Sequence, residues 1–163
     1  MRIPDYRVWI KKEKKMYGIE YDGFVDYIRA CGEPNAFEAD VQIIDECGEY
    51  QPYSFDEVEV MEFTERKDKD GGKIYEGDIV RGALGCDIDP CLDVGIVKLG
   101  EFEADSSGKE YRSVNCFGWH YEIIASRYPE DYNGSFPGKN IEVIGNIYED
   151  SHLLSEGIND KGN

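Results

Sequence analysis

Short apolar and aromatic segments, separated by turn-forming residues, recur along the whole chain and constrain its fold more than any other feature. None of these segments extends into an amphipathic stretch of helical length, and no repeat of fixed period is present. Short strands between frequent turns are typical of small barrels and of packed sheets. The sequence therefore predicts a mainly β protein that is either a small barrel or two packed sheets.

The amino-terminal part predicts a β-hairpin followed by two further strands. Tyr6–Ile10 and Met16–Ile19 are rich in aromatic and β-branched residues, and the charged run Lys11–Lys15 joins them as a loop. Phe24–Ile28 fits a strand or a short helix, and we predict a strand. Val41–Ile44 is a further apolar segment that predicts a strand.

Two interruptions are predicted before the middle of the chain. Gly48–Pro52 predicts a turn, because glycine and proline often interrupt regular structure. Ser54 and Glu57 have the spacing of a capping box, in which side chains and backbone N–H groups bond reciprocally. This spacing predicts one helical turn over Phe55–Val58, and Val60–Thr64 then predicts an extended segment.

Two tight turns are predicted in the centre of the sequence. Asp70–Gly72 contains two glycines, which can supply the positive φ of a tight turn. Glu76–Asp78 separates the apolar pairs Ile74–Tyr75 and Ile79–Val80. We therefore expect the second turn to redirect the chain into a new strand.

The second half of the chain contains further predicted strands. They are Val94–Leu99, Tyr111–Phe117, Trp119–Ala125 and Ile141–Tyr148. Because only Gly118 separates the two middle segments, one bent strand is an alternative. Arg127–Asn140 contains two prolines and predicts a long exposed loop. Ser151–Asn163 predicts either a short helix or a frayed tail.

The charge of the chain excludes several classes of function. Acidic residues exceed basic residues by 35 to 18, which gives a formal net charge of -17. Such a charge repels nucleic acids and anionic membranes, so we predict binding to neither. Because the acidic residues are spread along the chain, the charge fits a solvated surface that resists aggregation. An array of carboxylates on one face would instead imitate a phosphate backbone.

The sequence also predicts a cytoplasmic protein. Met1–Trp9 lacks the apolar run of a signal peptide, and no stretch approaches the roughly 20 apolar residues of a membrane-spanning helix. The five cysteines occur at irregular spacing, and we expect free thiols in a reducing compartment. They are Cys31, Cys47, Cys86, Cys91 and Cys116.

Two sets of residues have the chemistry of metal ligands, and we predict that neither binds a metal. The first set could bind zinc, which takes four sulfur or nitrogen ligands supplied as close pairs. It consists of Cys86, Cys91, Cys116 and His120. The spacing matches no recognised zinc motif, so ordinary buried or loop thiols are the preferred interpretation.

The second set is acidic and suits a hard cation such as calcium. Asp87, Asp89 and Asp93 would supply half of a coordination shell. The EF-hand spacing is absent, however, because Pro90 and Cys91 occupy the positions where the calcium loop continues.

No arrangement of residues in the sequence requires catalysis, so we predict a non-enzymatic protein without a cofactor. His120 and His152 are the two histidines, and Gly71–Lys73 lacks the upstream glycine of a phosphate-binding loop. Gly118–Tyr121 combines tryptophan, histidine and tyrosine. We interpret it as core packing on alternate faces of a strand, with a partner-binding surface as the alternative.

Three anchors, in the same order along the chain, resemble the YopX family of phage and prophage proteins. The opening anchor is Tyr6–Trp9 with Lys14–Met16, the central anchor is Met61–Thr64 with Lys67–Gly71 and Ile74–Val80, and the closing anchor is Ile141–Glu149. The resemblance covers nearly the whole chain. Two departures affect loop shape: the family usually has glycine where this chain has Glu65, and one glycine where Gly71 and Gly72 occur.

The resemblance implies a β-rich fold whose second part is similar to an SH3-like barrel. With a boundary inside the charged segment Thr64–Gly72, we predict an amino-terminal β subdomain over residues 1–66, an SH3-like β-barrel subdomain over residues 67–150 and a polar tail over residues 151–163. One compact domain is the alternative. The family has no established catalytic activity, so we transfer no functional residue to this chain.

These observations lead to four hypotheses about function. We expect a phage-encoded protein that binds a host or phage protein, at residues that the sequence does not assign. Self-association through exposed strand edges is a second hypothesis. The third is an acidic DNA mimic that inhibits a host DNA-binding protein, and the fourth is an enzyme with His120 as its base.

Overall fold

The structure is a computed structural model that describes residues 5–18, 25–30, 39–44, 50–84, 93–105, 113–125 and 139–154. These residues form a mainly β protein, which confirms the predicted fold class. The strands are β1 Tyr6–Ile10, β2 Lys15–Gly18, β3 Val25–Ala30, β4 Ala39–Ile44, β5 Tyr50–Ser54, β6 Val58–Lys67, β7 Lys73–Tyr75, β8 Asp78–Ala83, β9 Asp93–Asp105, β10 Ser113–Ala125 and β11 Lys139–Asn146. A short 3-10 helix follows at Ser151–Leu154.

The chain forms two compact units, Met1–Phe63 and Thr64–Asn163. Strand β6 begins in the first unit and ends in the second. The predicted boundary after Arg66 stays a prediction, because compactness does not test whether either part folds by itself.

The first unit contains the predicted hairpin and a three-stranded sheet. β1 pairs antiparallel with both β2 and β6, and β4 lies between β3 and β5. Alternate side chains of a strand point to opposite faces, and β1, β4 and β6 each supply apolar residues to one buried cluster. One cluster of buried residues in this unit consists of Val8, Ile10, Val41, Ile43 and Val58.

The predicted turn at Gly48–Pro52 is wrong over its described part, because Tyr50–Ser54 is strand β5. Pro52 lies opposite Gln42 of β4. A strand tolerates proline at the edge of a sheet, where the missing N–H need not meet a second partner. β5 holds such an outer position in the order β3-β4-β5.

The predicted helical turn at Phe55–Val58 is also wrong, although the residue pair behind the prediction does interact. Glu57 Oε2 accepts hydrogen bonds from the backbone N of Ser54 at 3.0 Å and from its Oγ at 2.9 Å. The backbone N of Glu57 donates to the Ser54 carbonyl at 3.0 Å. These bonds close a turn between β5 and β6, and Val58 is already a buried strand residue.

The second unit contains an antiparallel sheet with the order β10-β9-β8-β11. Residues 113–125 form one continuous strand, which confirms the single-strand alternative across Gly118. The buried core of the unit is formed by Ile74, Val80, Leu84, Val97, Tyr121 and Ile141.

Candidate functional site

β9 and β10 form a long antiparallel ribbon that extends past the rest of its sheet. The ribbon is paired from Asp105 opposite Ser113 to Gly95 opposite Ile123. β8 pairs with β9 only between Asp93 and Ile96. Within the described residues, the section formed by residues 98–105 and 113–120 is therefore two strands wide, and we call it the distal ribbon.

One face of the ribbon changes from core to surface along its length. Val97 and Tyr121 are opposite each other and buried in the core of the second unit. The next pair on this face, Leu99 and Trp119, is partly exposed, and Leu99 is 40% exposed. One further step along, Phe117 is 74% exposed. The alternation that fills the core thus continues beyond it and places a phenylalanine in solvent.

Acidic and polar side chains border this exposed phenylalanine. Glu101 lies directly opposite Phe117, and Glu103 lies opposite Asn115. All three of these neighbours are exposed. The distal ribbon therefore presents an exposed apolar side chain beside carboxylates.

Two aromatic rings stack on the other face of the ribbon. The rings of Phe102 and His120 are stacked, with centroids 5.0 Å apart and planes inclined by 18°. Gly100 and Gly118 are paired between them, and a Cβ at Gly100 would lie 3.7 Å from His120 Cε1. The Nδ1 atom of His120 is 3.3 Å from the Gly118 carbonyl oxygen. His120 therefore lies beside the space that a side chain at Gly100 would occupy.

The candidate zinc ligands on β10 cannot meet at one ion in this geometry. Cys116 and His120 are four residues apart in an extended strand, which separates their Cα atoms by about 13 Å. Two side chains and two zinc bonds of about 2 Å do not span that distance. Cys86 and Cys91 lie outside the described residues, and Cys116 is a half-buried free thiol.

The candidate calcium set is only partly described, since Asp87 and Asp89 lie outside the described residues. Asp93 begins β9 and is 0% exposed. Neither of its carboxylate oxygens has a hydrogen-bond partner in the described part of the chain. In the same described ranges, no three His, Cys, Asp or Glu side chains are grouped as metal ligands would be.

The remaining residues that the sequence singled out as phosphate-binding or catalytic candidates occupy structural or surface positions. Gly71 has a φ of 89° in a turn between β6 and β7, where its N donates to the Asp68 carbonyl at 3.1 Å. Asp68 Oδ1 also accepts from the Gly72 backbone N at 2.7 Å. This confirms the predicted turn and shows that Gly71–Lys73 is not arranged as a phosphate loop. His152 is exposed in the 3-10 helix.

The turn at Glu76–Asp78 is also confirmed, and its residues have structural roles. Gly77 has a φ of 76°, and its N donates to the Val97 carbonyl at 2.9 Å. The fully buried Asp78 accepts a hydrogen bond at 2.8 Å from the backbone N of Tyr75. The Gly77 carbonyl accepts from the N of Ile147 at 3.0 Å, which joins the central segment to the end of the chain.

A further turn follows β11. Asn146 Oδ1 accepts hydrogen bonds at 3.0 Å from the backbone N of both Tyr148 and Glu149. The backbone N of Asn146 donates to Asp150 Oδ2 at 3.0 Å. A Cβ at Gly145 would lie only 2.6 Å from that same oxygen, so the close approach of Asp150 requires glycine.

Glu65 adopts a backbone conformation that usually belongs to glycine. Its φ is 63°, in the left-handed region, although it lies within β6. On either side, Thr64 Oγ1 donates to the Ile74 carbonyl at 2.8 Å and accepts from the Arg66 N at 3.3 Å. Glycine would adopt this conformation without the energetic cost that a residue with a Cβ incurs.

Burial and interactions among surface side chains shift pKa values in both units. Burial, followed by a 2.5 Å hydrogen bond to Glu13, raises the pKa of Tyr53 to about 12. In the second unit, Arg81 and Lys69 each lie 3.1 Å from Glu142 Oε2 and hold the pKa of that carboxyl below its usual value.

The comparison with protein families identifies the chain. The model described as YopX protein matches residues 5–155. The chain belongs to the YopX family. The crystal structure of protein EF1440 from Enterococcus faecalis is similar to this YopX-family chain, with a TM-score of 0.46 and 19% identity over 94% of this chain and 99% of that one. No curated protein matches the chain. Among the described residues, no helix has the length and hydrophobicity needed to cross a membrane.

Proposed function

We propose that this YopX-family protein is a non-catalytic, phage- or prophage-encoded cytoplasmic protein that acts by binding another protein through the distal ribbon. The observation that carries the proposal is that Phe117 is 74% exposed. It lies on the same face of the ribbon as Val97 and Tyr121, which are buried in the core. Burial of a large aromatic side chain in an interface is much more favourable in free energy than its exposure to water. Phe117 is therefore the expected anchor.

The surroundings of Phe117 support a protein partner. Glu101 and Glu103 lie on the same face, and the chain has a net charge of -17, so nucleic acid would be repelled. His120, which is the histidine nearest to this surface, is used in the stack with Phe102. Binding without catalysis is the activity that these contacts favour.

The test is an affinity capture with three versions of the full chain as bait. These are the wild type, Phe117→Ser and the control Phe55→Ser, whose phenylalanine is 43% exposed in the turn between β5 and β6. Each bait is exposed to lysate of the natural host at low and high salt. We expect a protein that wild type and the Phe55→Ser control retain and that Phe117→Ser loses.

Identical captured proteins on all three baits would contradict a role for the distal ribbon. The salt dependence separates two forms of the proposal. Loss of a basic partner at high salt, together with competition by DNA, would favour an acidic DNA mimic, whereas retention would favour an apolar contact.

The proposal includes an SH3-like barrel in residues 67–150 as the platform that carries the ribbon. The antiparallel order β10-β9-β8-β11 and the tight turn at Glu76–Asp78 support it. An experimental structure in which further strands connect β10 and β11 would establish the barrel, and an open sheet would refute it.

A further inference from the structure

β10 is an outer strand of its sheet, and most of its length lacks charged residues and proline. From Ser113 to Tyr121 it contains no Asp, Glu, Lys, Arg or Pro, although 33% of the chain is charged. β10 also holds an outer position in the order β10-β9-β8-β11, so its outer edge has no strand partner among the described residues. Soluble proteins usually protect such edges with charges, prolines or bulges.

The opposite edge of the same sheet shows that protection. β11 carries Lys139 and Glu142, and its pairing with β8 shifts register twice. Glu142 forms ion pairs with both Lys69 and Arg81. On β10, the register shift lies between Ile123 and Ala125, outside the uncharged stretch. Of the two outer strands in this described sheet, β10 is therefore the one that lacks charged residues and register shifts from Ser113 to Tyr121.

We infer that this edge pairs with the same edge of a second copy of the chain, in an antiparallel dimer whose two-fold axis passes near Phe117. The inference rests on the proposed binding role of the distal ribbon and names the partner. Two identical edges are self-complementary when they run antiparallel, because each strand supplies both N–H and C=O groups to the other.

The position of Phe117 supports this register. It is the middle residue of the uncharged stretch Ser113–Tyr121. An axis at this residue places the two Phe117 side chains next to each other, with Cβ atoms about 5 Å apart, and sets Trp119 of each copy opposite Asn115 of the other. The most exposed apolar side chain of the ribbon thus becomes the centre of the interface.

The charge distribution explains how two copies with a net charge of -17 can approach at this edge. The nearest carboxylates on the Phe117 face, Glu101 and Glu103, lie on β9, one strand back from the contact. In the order β9-β10-β10-β9, the two copies of Glu101 are three strand spacings apart, or about 14 Å. That distance exceeds the screening length of about 8 Å at physiological salt.

The first charged residue on the carboxyl-terminal side of the stretch is also neutralised. Glu122 forms an ion pair with Lys98 of its own β9. The edge therefore offers a second copy backbone hydrogen bonds and aromatic area without opposed charges.

The test is sedimentation equilibrium of the full chain over a range of concentrations at low and high salt. We expect a reversible dimer for the wild type and for the control Phe55→Lys, with tighter association at high salt because the net repulsion is screened. Phe117→Lys places two like charges at the axis, and we expect its dimer dissociation constant to rise by at least about tenfold. Circular dichroism and urea unfolding confirm that each variant is folded.

A cross-linking experiment tests the register independently. In a Cys116→Ser background, Phe117→Cys places two thiols next to each other across the axis, within reach of a disulfide. We expect a covalent dimer on mild oxidation, whereas the control Glu103→Cys in the same background gives none through the introduced thiol.

A wild type that stays monomeric at high concentration and high salt would overturn the inference. So would a dimer that Phe117→Lys leaves intact and that Phe117→Cys does not cross-link. A monomer that still captures another protein through Phe117 would refute the dimer and leave the proposed function standing. A monomer without such capture would refute both.

Discussion

Gly100 lies directly opposite Gly118 in the β9–β10 ladder, and the ring of His120 lies beside the position that a side chain at Gly100 would occupy. His120 is fixed there by its stack on Phe102. The histidine that was the candidate base in the sequence thus stabilises the ribbon that presents Phe117. A Cβ at Gly118 would meet no atom within 4 Å, so glycine is not required at that position by packing.

Two glycine substitutions in the second unit should therefore change the free energy of unfolding in opposite directions. In Gly145→Ala the new Cβ would lie 2.6 Å from Asp150 Oδ2 and 2.8 Å from Asp150 Cβ, and we expect a loss of about 1–3 kcal/mol of unfolding free energy. Gly118→Ala, the matched control, should be neutral or stabilise by up to about 1 kcal/mol through reduced entropy of the unfolded chain. Urea unfolding measures both. Equal losses would show that the contact with Asp150 is not the cause.

Glu65→Gly should stabilise the protein. Glu65 has a φ of 63°, which costs a residue with a side chain about 1 kcal/mol relative to glycine. We expect the free energy of unfolding to rise by about 0.5–1 kcal/mol, measured by urea unfolding. Glu65→Ala is the control, because it removes the carboxylate and keeps the unfavourable φ. A gain in Glu65→Ala of the same size would assign the effect to the carboxylate instead.

Asp93→Asn should also stabilise the protein at neutral pH. The Asp93 side chain is 0% exposed, and neither oxygen has a hydrogen-bond partner among the described residues. An unpaired buried charge is costly, so a neutral side chain of the same shape should raise the unfolding free energy by at least about 1 kcal/mol. Thermal unfolding with calcium and with a chelator tests this. Destabilisation by the substitution, together with stabilisation of the wild type by calcium, would show that Asp93 binds a cation.

Tyr53 should lose its proton at a higher pH than an ordinary tyrosine and should contribute to stability at alkaline pH. Burial and the hydrogen bond to Glu13 raise its pKa from 10.0 to about 12. Because the folded-state pKa is raised, this contribution is fully present below pH 10 and is lost as the pH rises towards 12. Subtracting the phenolate absorbance titration of Tyr53→Phe from that of wild type should give one group with a midpoint near 12. Glu13→Gln should lower that midpoint, and an unchanged midpoint would exclude Glu13 as a cause.

Local sequence rules predicted much of the second unit. The predicted turns at Asp70–Gly72 and Glu76–Asp78 are both confirmed. Gly71 and Gly77 have a positive φ, which glycine adopts because it has no side chain. The predicted hairpin of β1 and β2 is confirmed as well, because two apolar and aromatic strands flank one short charged loop. The mainly β class followed from the same short-range patterns.

Long-range context decided the features that sequence rules missed. Pro52 belongs to a strand because β5 lies at the edge of its sheet, and Ser54 with Glu57 closes a turn because buried strand residues follow at Val58. Neither edge position nor burial can be read from a window of a few residues.

The sequence by itself determined that Trp119 and Tyr121 share one face of a strand and that His120 occupies the other. Only the tertiary structure decided that Tyr121 is buried while Phe117, on the same face, is 74% exposed. The physical reason is the length of the neighbouring strand. β8 stops pairing with β9 at Ile96, and the core that covers Tyr121 extends to Trp119 but leaves Phe117 exposed.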